Sequence, residues 1–174
     1  MNKLNEYNEL YNSVNQNILY TTLFDVVNLN LDNSRILNTS QQNIKKQYIE
    51  LLSQLTNTPI ITDEEFINKV NEISKIGTII ICYIPNIDIE IIGSGTIIYE
   101  PKIIHGGKSV GHIEDIIVDK NHRNKGIAQN ILNILIELAK NKCYKVILDC
   151  KEELTDFYSK VGFNKNGNQM AKYF

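Results

Sequence analysis

Apolar residues in the first half of the chain recur every third or fourth position, which is the spacing of one helix face. This pattern predicts a helix that begins after Ser40 as its N-cap and ends before Pro59, since a proline ring cannot continue a helix. A second helix is predicted from Thr62 to Gly77, with acidic residues in its first turn that suit the helix dipole. The residues that the two helices should bury are Ile44, Tyr48, Leu51, Leu52, Leu55, Phe66, Ile67, Val70 and Ile73.

From residue 78 onward, runs of β-branched residues indicate strands. Strands at 78–84 and 89–100 should form an antiparallel pair, and Gly93 and Gly95 in the second predict a bulge or a close backbone approach. A strand at 109–118 leads into an amphipathic helix at 125–142, and the next strand, 144–148, should be central, buried and parallel to its predecessor. The remaining predicted elements are a short strand at 35–37, a turn at 85–88, a short helix at 152–161 closed by Gly162, and a last strand at 169–174. Together they predict a mixed α/β sheet.

Length and charge restrict the possible functions. The 174 residues suit one domain, and a formal net charge of −2 makes nucleic acid or an anionic membrane an unexpected partner. Residues 1–34, rich in Asn, are predicted to be an N-terminal extension that packs loosely and carries no chemistry, before a domain at 35–174. The polar N-terminus, the lack of a long apolar run and three cysteines without metal-ligand spacing predict a cytoplasmic protein with reduced thiols.

The stretch 111–128, GHIEDIIVDKNHRNKGIA, is the strongest candidate for chemistry. It leads from a strand through a basic turn into a helix, and the first N–H groups of a helix lack intrahelical partners at its positive end. Gly126 and Ala128 keep bulky side chains away from a bound anion, while Arg123 and Lys125 add positive charge. We therefore predict a phosphate site of the kind that holds the pyrophosphate of an acyl-CoA.

With Arg123, Gly126 and Ala128 in an Arg-x-x-Gly-x-Ala arrangement between strand and helix, the chain resembles the GNAT acetyltransferase superfamily. That loop alone is a weak motif. The blocks GHIEDI at 111–116 and CYKVILDC at 143–150 are specific, and they resemble the glucosamine-6-phosphate N-acetyltransferase family. Further similar pieces lie at 51–56, 95–105, 157–163 and 169–170, so the likeness covers residues 35–174. It implies the GNAT fold: a mixed, mostly antiparallel twisted sheet with flanking helices and a bulged, splayed central strand.

The resemblance implies transfer of an acetyl group from acetyl-CoA to the 2-amino group of glucosamine 6-phosphate, by direct attack in a ternary complex and without a metal. The product, N-acetylglucosamine 6-phosphate, would serve UDP-N-acetylglucosamine synthesis. Tyr158 would donate a proton to the departing thiolate; alternatively, it is a helix aromatic packed on the core, a role for which Phe157 is the better candidate. The implied coenzyme-binding residues, several of them through the main chain, are Ile116, Ile117, Val118, Arg123, Asn124, Lys125, Gly126, Ile127, Ala128 and Tyr158.

The resemblance also implies how the sugar is held. Asp149 would orient the amine, and Glu114 and Asp115 would line the sugar pocket, although neighbours on a strand face opposite ways unless a bulge intervenes. The proton acceptor stays open between these carboxylates, a main-chain carbonyl and a water, and Asp149 alternatively caps the next helix. The implied contacts of the rest of the substrate, including its phosphate, are Thr56, Lys102, Ile103, Ile104, His105 and Lys172.

Two positions depart from the family pattern. The family's C-terminal arginine is unmatched, since Tyr173 occupies the equivalent place beside Lys172, and Asn124 stands where many relatives carry glycine. Family members are homodimers whose C-terminal strands meet and complete the sugar pocket, so the same assembly is expected here. Two alternatives remain: a GNAT enzyme acting on another amine (a polyamine, an aminoglycoside or a protein N-terminus), and a non-catalytic acyl-CoA-binding module.

The three cysteines are interpreted as mostly structural. Cys143 and Cys150 flank a predicted buried strand, where thiols behave as small hydrophobic groups. No Cys–His pair can be argued, which favours direct transfer over a covalent enzyme intermediate.

Overall fold

The computed structural model of the chain describes residue 8 and residues 18–28, 41–85 and 89–173. The predicted strand at 35–37 and most of the turn at 85–88 lie outside these residues. Short 3-10 turns occur at His105–Gly107, Lys120–His122 and Glu152–Leu154. The helices and strands, in chain order, are β1 (Leu19–Thr22), α1 (Leu23–Asn28), α2 (Gln41–Leu52), α3 (Asp63–Ile76), β2 (Gly77–Pro85), β3 (Ile89–Glu100), β4 (Ser109–Val118), α4 (Ile127–Ala139), β5 (Cys143–Leu148) and α5 (Thr155–Ser159).

The strands of the described chain form one five-stranded sheet in the order β1-β2-β3-β4-β5. The first three pairings are antiparallel, and β4 pairs with β5 in parallel. The predicted mixed, mostly antiparallel sheet is therefore confirmed. The predicted central position of β5 was wrong, because β5 lies at an edge and most of its residues are half-buried. An apolar run indicates that a strand packs against a core, but it does not indicate how many strands flank it. Here Val146 and Leu148 pack against the core on the α4 side although β5 is an edge strand.

A hydrophobic core lies on each face of the sheet, because side chains alternate along the strands. In β2, Ile80 and Cys82 belong to the core that packs against α4. Ile79 and Ile81 belong to the other core, which packs against α1, α2 and α3. The prediction of a close approach at Gly95 is confirmed: a Cβ there would lie 2.7 Å from the Cγ2 atom of an α4 isoleucine.

Thr62 is the N-cap of α3, as the sequence predicted, and it also forms a capping box. Glu65 N–H donates to Thr62 Oγ1 at 3.1 Å, and Thr62 N–H donates to Glu65 Oε2 at 2.7 Å. Gly77 does not cap the helix end in a left-handed conformation: it is extended and begins β2, where a Cβ would lie 2.2 Å from the Ile97 carbonyl oxygen. Leu55 lies beyond the end of α2 and is 47% exposed, so its predicted burial was wrong.

The N-terminal segment differs from the loose packing that its composition suggested. β1 pairs with β2 along residues 19–22, and Tyr20 and Leu23 are fully buried. The Asn8 side chain occupies the open edge of β1: its Nδ2 donates to Tyr20 O at 3.0 Å, and Tyr20 N–H donates to Asn8 Oδ1 at 2.8 Å. Asn composition gave no sign of this pairing, which depends on a neighbouring strand. The domain boundary at residue 34 stays a prediction.

The C-terminal segment also departs from prediction. Residues 169–173 form no strand, and Met170 and Tyr173 are 95% and 91% exposed. A strand requires a neighbouring edge to pair with, and the sequence pattern contains no information about that neighbour. The predicted helix at 152–161 is a 3-10 turn followed by the short α5, and Gly162 after it has a positive φ of 94°. Among the described helices, none is both long and apolar enough to cross a membrane.

Candidate active site

β4 contains a bulge at Asp115. Thr96 of β3 pairs with Glu114 and Ser94 pairs with Ile117, so β4 has one residue more than β3 between these pairs. Asp115 absorbs the extra residue with a φ of 53°, in the left-handed region. The implied bulged strand is thereby confirmed, and the bulge relaxes the strict alternation that would send Glu114 and Asp115 to opposite faces.

β4 is also splayed from β5 beyond the bulge. The two strands pair only from Ser109 to Ile113, so on that side residues 114–118 have no partner strand in the described chain. Ile117 and Val118 have side chains buried in the two cores, and Ile116 is half-buried. These three predicted coenzyme residues therefore present main-chain groups at the open edge, where an extended ligand can pair as a strand would.

Buried hydroxyl groups lie on β3 opposite the bulge, at Ser94 and Thr96. Ser94 Oγ lies 3.1 Å from the Ile80 carbonyl oxygen and 3.3 Å from the Tyr48 hydroxyl. Because the single serine proton goes to the carbonyl, Tyr48 donates to Ser94. Burial raises the pKa of Tyr48 to about 12, so the hydroxyl keeps its proton. The sequence assigned Tyr48 only to the core; the signal that was missed is the pair Ser94 and Thr96 within an otherwise apolar strand.

The loop before α4 has the conformation expected of an anion site. Asn124 and Gly126 have φ values of 63° and 75°. The first helical hydrogen bond runs from Asn130 N–H to Gly126 O at 3.0 Å, which leaves the N–H groups of residues 127–129 without partners inside the helix. A Cβ at Gly126 would meet no protein atom within 4 Å, so within the chain this glycine is required for its left-handed backbone conformation; the space that it leaves for an anion stays a prediction.

Basic side chains surround this helix start. Arg123 and Lys125 are exposed, and Arg123 Nε donates to the Val118 carbonyl oxygen at 3.2 Å. Ile127 is buried in the α4 core and Ala128 is half-buried, so both contribute main-chain groups to the loop. The predicted coenzyme residues 123–128 are thus brought together at one end of the open β4 edge.

Three carboxylates lie at the end of β5. Burial raises the pKa of Glu114, and the charges of Asp115 and Asp149 raise it further; burial also raises the pKa of Asp115. Concentrated negative charge of this kind suits a cationic amine. Asp149 does not cap the next turn, because Lys151 is the residue at the cap position. Its Oδ2 atom instead accepts a hydrogen bond from Gln169 Nε2 at 2.9 Å.

Tyr158 is held by its own helix end. Gly162 N–H donates to Ser159 O at 3.0 Å and Phe163 N–H donates to Tyr158 O at 3.2 Å, which is a Schellman motif. The Tyr158 ring packs edge-on against Phe157 and Phe163, at centroid distances of 5.0 and 6.1 Å. Phe157 and Tyr158 are both half-buried, so burial alone does not separate their roles. Burial, and then the nearby Cys150, raise the pKa of the Tyr158 hydroxyl.

The cysteines differ in their environments. Cys82 and Cys143 are buried, in agreement with a structural role, whereas Cys150 is exposed. Burial raises the pKa of the Cys82 thiol to about 12. The structural interpretation was therefore wrong for Cys150.

The predicted phosphate contacts lie elsewhere. Lys102 and His112 both bind the Glu100 carboxylate, His112 Nε2 at 2.8 Å, and His105 stacks on Tyr144 with ring centroids 4.0 Å apart. Tyr144 lies near the start of β5 and Asp149 directly follows its end, so within one chain His105 and Asp149 are about 15 Å apart along the strand.

The other predicted substrate contacts are exposed side chains. Ile103 and Ile104 are 99% and 62% exposed, and Thr56 and Lys172 are also exposed. In the described part of the chain, no group of three or more His, Cys, Asp and Glu side chains is placed to hold a metal ion.

Comparison with known proteins identifies the family. Residues 54–163 match the acetyltransferase (GNAT) family. The glucosamine 6-phosphate N-acetyltransferase of Arabidopsis thaliana is 40% identical over 133 residues, which cover 75% of this chain and 89% of the relative. The enzyme of that name from Trypanosoma brucei brucei is 36% identical over 149 residues, 84% of this chain and 96% of the relative.

A solved structure agrees with both. The crystal structure of glucosamine-6-phosphate N-acetyltransferase from Arabidopsis thaliana has a TM-score of 0.75 at 32% identity and covers 90% of this chain and 98% of its own. The same likeness thus appears in the sequence and in the fold. The chain belongs to the GNAT acetyltransferase family and, within it, to the glucosamine 6-phosphate N-acetyltransferases.

Proposed function

We propose that this chain transfers the acetyl group of acetyl-CoA to the 2-amino group of glucosamine 6-phosphate. The observation that carries the proposal is the open edge of β4 at residues 114–118, which runs from the carboxylates at Glu114 and Asp149 to the start of α4. A thioester bound along that edge has its acetyl end at the carboxylates and its phosphates at the helix. The names of the relatives supply the identity of the amine.

The coenzyme is assigned to main-chain groups. The N–H groups at the start of α4 and the charges of Arg123 and Lys125 would hold the diphosphate. The backbone of Ile116 and Val118 would pair with the pantetheine arm, and an N–H there would stabilise negative charge on the thioester oxygen. Bound acetyl-CoA supplies the activated acyl group; these residues orient it.

The chemistry is assigned to three side chains. The neutral amine attacks the thioester carbon, and the new C–N bond replaces the C–S bond. The thiolate takes a proton from the Tyr158 hydroxyl, while the nitrogen loses one proton to a carboxylate or a water; exchange with solvent then returns a proton to Tyr158. Burial keeps Tyr158 protonated until that step, because it raises the pKa of the hydroxyl. Asp149, fixed by Gln169, orients the amine, and Glu114 provides negative charge for the ammonium form before and after attack.

We further infer a homodimer whose second copy completes the sugar pocket. Lys102 and His105 lie at the opposite end of β5 from Asp149, so one chain does not join the phosphate contacts to the amine contacts. Exposed apolar residues occur on the same loop and on the tail, at Ile103 and Met170. Sedimentation equilibrium should give twice the mass of the chain, and a monomer would contradict the inference.

Two further assignments rest on the sequence and the family alone. The product, N-acetylglucosamine 6-phosphate, is proposed to feed UDP-N-acetylglucosamine synthesis, and the protein is proposed to act in the cytoplasm without a metal.

A thiol-release assay tests the main proposal. The purified chain is incubated with acetyl-CoA and either glucosamine 6-phosphate, glucosamine, a polyamine or an aminoglycoside. Free CoA should appear with glucosamine 6-phosphate at a kcat/KM at least tenfold above that for glucosamine, because ionic contacts to a phosphate are worth roughly 1.5–3 kcal/mol each. Faster release with another amine would support that amine as the substrate. No release with any of these amines would contradict the proposed acetyltransferase activity.

A further inference from the structure

The side chain of Gln54 joins two segments that are far apart in the sequence. Its Nε2 donates to Asp119 Oδ2 at 2.8 Å, and its Oε1 accepts from Lys120 N–H at 3.0 Å. Both ends of one amide therefore bind consecutive residues of the connection between β4 and α4. Gln54 itself is fixed just beyond α2, where its own N–H donates to Leu51 O at 3.1 Å.

Asp119 organises the connection that Gln54 holds. Its Oδ1 accepts from Asn121 N–H at 2.9 Å and lies 3.2 Å from His122 Nδ1. Its own N–H donates to the Ile92 carbonyl oxygen at 2.9 Å, which ties the connection to β3. Hydrogen bonds to the carboxylate, that from Gln54 foremost, lower the pKa of Asp119. The 3-10 turn at residues 120–122 is thus built on this one carboxylate.

The turn ends directly before the coenzyme loop. Arg123 follows it, and Asn124 and Gly126 then adopt left-handed backbone conformations. Arg123 is held from its other side by the Val118 carbonyl oxygen. The position of the whole loop therefore depends on where Asp119 is fixed.

We propose that Gln54 is a positioning residue for the coenzyme: its amide fixes Asp119 and Lys120 and so preforms the 123–128 loop for the diphosphate. This inference rests on the proposed function, because it assumes that the loop binds acetyl-CoA. Gln54 touches neither substrate. By ordering the loop before the coenzyme binds, it reduces the conformational entropy that is lost on binding.

The chain contains a matched control in α2. Gln47 also uses both ends of its side-chain amide: its Nε2 donates to Ile89 O at 2.8 Å and to Asn43 Oδ1 at 3.2 Å, and its Oε1 accepts from Ile91 N–H at 2.9 Å. The two isoleucines belong to β3, outside the coenzyme loop. Loss of either glutamine removes one two-point amide contact, so the two alanine variants separate loop positioning from general stability.

The test measures acetyl-CoA and sugar kinetics, the Kd for CoA by calorimetry, and Tm. Q54A should raise KM for acetyl-CoA and Kd for CoA roughly fivefold, from the loss of two hydrogen bonds of ordinary strength, with kcat and sugar KM unchanged. Q47A should lower Tm and leave the CoA affinity unchanged. An unaltered CoA affinity in Q54A, or an equal loss in Q47A, would overturn the proposal.

A rescue pair gives a readout that a purely structural role does not predict. Q54E places a second carboxylate against Asp119 and should weaken CoA binding more than Q54A does. Adding D119N to Q54E introduces an amide that donates to the new carboxylate, which still accepts from Lys120 N–H, and should restore CoA binding. Failure of the double variant to bind better than Q54E counts against the proposal. If the wild type binds CoA but releases no thiol with glucosamine 6-phosphate, the proposed substrate fails while the Kd series still tests Gln54.

Discussion

The coenzyme side and the sugar side of the proposed site are built in different ways. The coenzyme side consists of main-chain groups: the open edge of β4 and the start of α4, both anchored by buried residues such as Ile117 and Ile127. The sugar side consists of side chains, among them the half-buried Lys102 and the exposed His105 and Asp149, which lie at two ends of β5. A site made of main-chain groups is formed when the chain folds. A site made of separated side chains needs further groups, such as those of the proposed second subunit, to complete it.

The difference has an electrostatic counterpart. Lys102 already binds Glu100, and Asp149 already binds Gln169, so the charges proposed for the sugar have partners within the chain. The helix start before Asn130 has N–H groups that lack intrahelical partners. Sugar binding therefore competes with existing side-chain contacts, whereas the N–H groups at the helix start can bind the coenzyme without breaking an intrahelical hydrogen bond.

The largest expected effect lies where the two sides meet, at Tyr158. Y158F should lower kcat about 100-fold, the ordinary size of a general-acid contribution, with KM for acetyl-CoA changed less than threefold. The thiolate then leaves without a proton donor while the binding groups on both sides remain. Steady-state kinetics with the thiol-release assay measure both constants.

Y99F is the matched control for this experiment. Tyr99 is also half-buried, and burial raises its pKa as well, but its hydroxyl bonds Thr78 at the other end of the sheet. Y99F should keep its kcat. An unchanged kcat in Y158F would reject the role of Tyr158 as proton donor and favour the alternative, in which Tyr158 is an aromatic residue packed on the core.

The sequence predicted the local structure of the proposed coenzyme side well because that structure follows from local rules. β3 and β4 were predicted with their observed bounds, and the loop with Gly126 was recognised from its glycine, its basic residues and the helix that follows. The bulge at Asp115 came from family resemblance, since adjacent carboxylates in an apolar strand do not by themselves specify one.

The sequence could not predict features that depend on distant pairing. The edge position of β5, the strand at residues 19–22 and the non-strand tail are each decided by which backbone lies alongside. The contacts of Gln54 and Gln169 span 65 and 20 residues, and no local pattern marks them. Lys102 and His105 were predicted to lie on one loop, which the structure confirms, but the ion pair of Lys102 with Glu100 was not predicted.

Two glycines allow the same perturbation on each side. Gly126 lies in the coenzyme loop, and Gly106 lies in the loop that carries Lys102 and His105. Their φ values are 75° and 67°, and a Cβ at either would meet no protein atom within 4 Å. G126A and G106A therefore impose backbone strain without a clash, roughly 1–2 kcal/mol for a left-handed alanine. G126A should raise KM for acetyl-CoA about tenfold, and G106A should raise only the KM for the sugar phosphate.

The sugar-side effect of G106A should be the smaller one, because side chains adjust to a shifted loop more easily than main-chain donors do. If both variants raised the same KM, the division of the site into two sides would be wrong.

The smallest expected effect concerns stability and the carboxylate at the bulge. Burial raises the pKa of Asp115 above its ordinary value of 3.8, so the folded state binds this proton more tightly than the unfolded state. The wild type therefore loses stability as pH rises from that ordinary value through the raised one. D115N removes the titrating group, and asparagine tolerates the φ of 53° as well as aspartate does.

D115N should consequently unfold at a slightly higher temperature at pH 7, by about 2 °C, a fraction of 1 kcal/mol for a domain of this size. The gain should shrink as pH falls below 4, where the wild-type carboxyl is protonated in both states, so the pH series is its own control. Activity should fall at the same time, since the amine loses a negative neighbour. A gain of equal size at both pH values would show that the bulge favours asparagine for packing reasons, and a loss at pH 7 would show that the carboxylate holds the bulge in place. Only the expected pattern would show that the ionised Asp115 carboxylate lowers the stability of the folded state. The main-chain groups of the coenzyme side do not titrate, so they carry no such cost in stability.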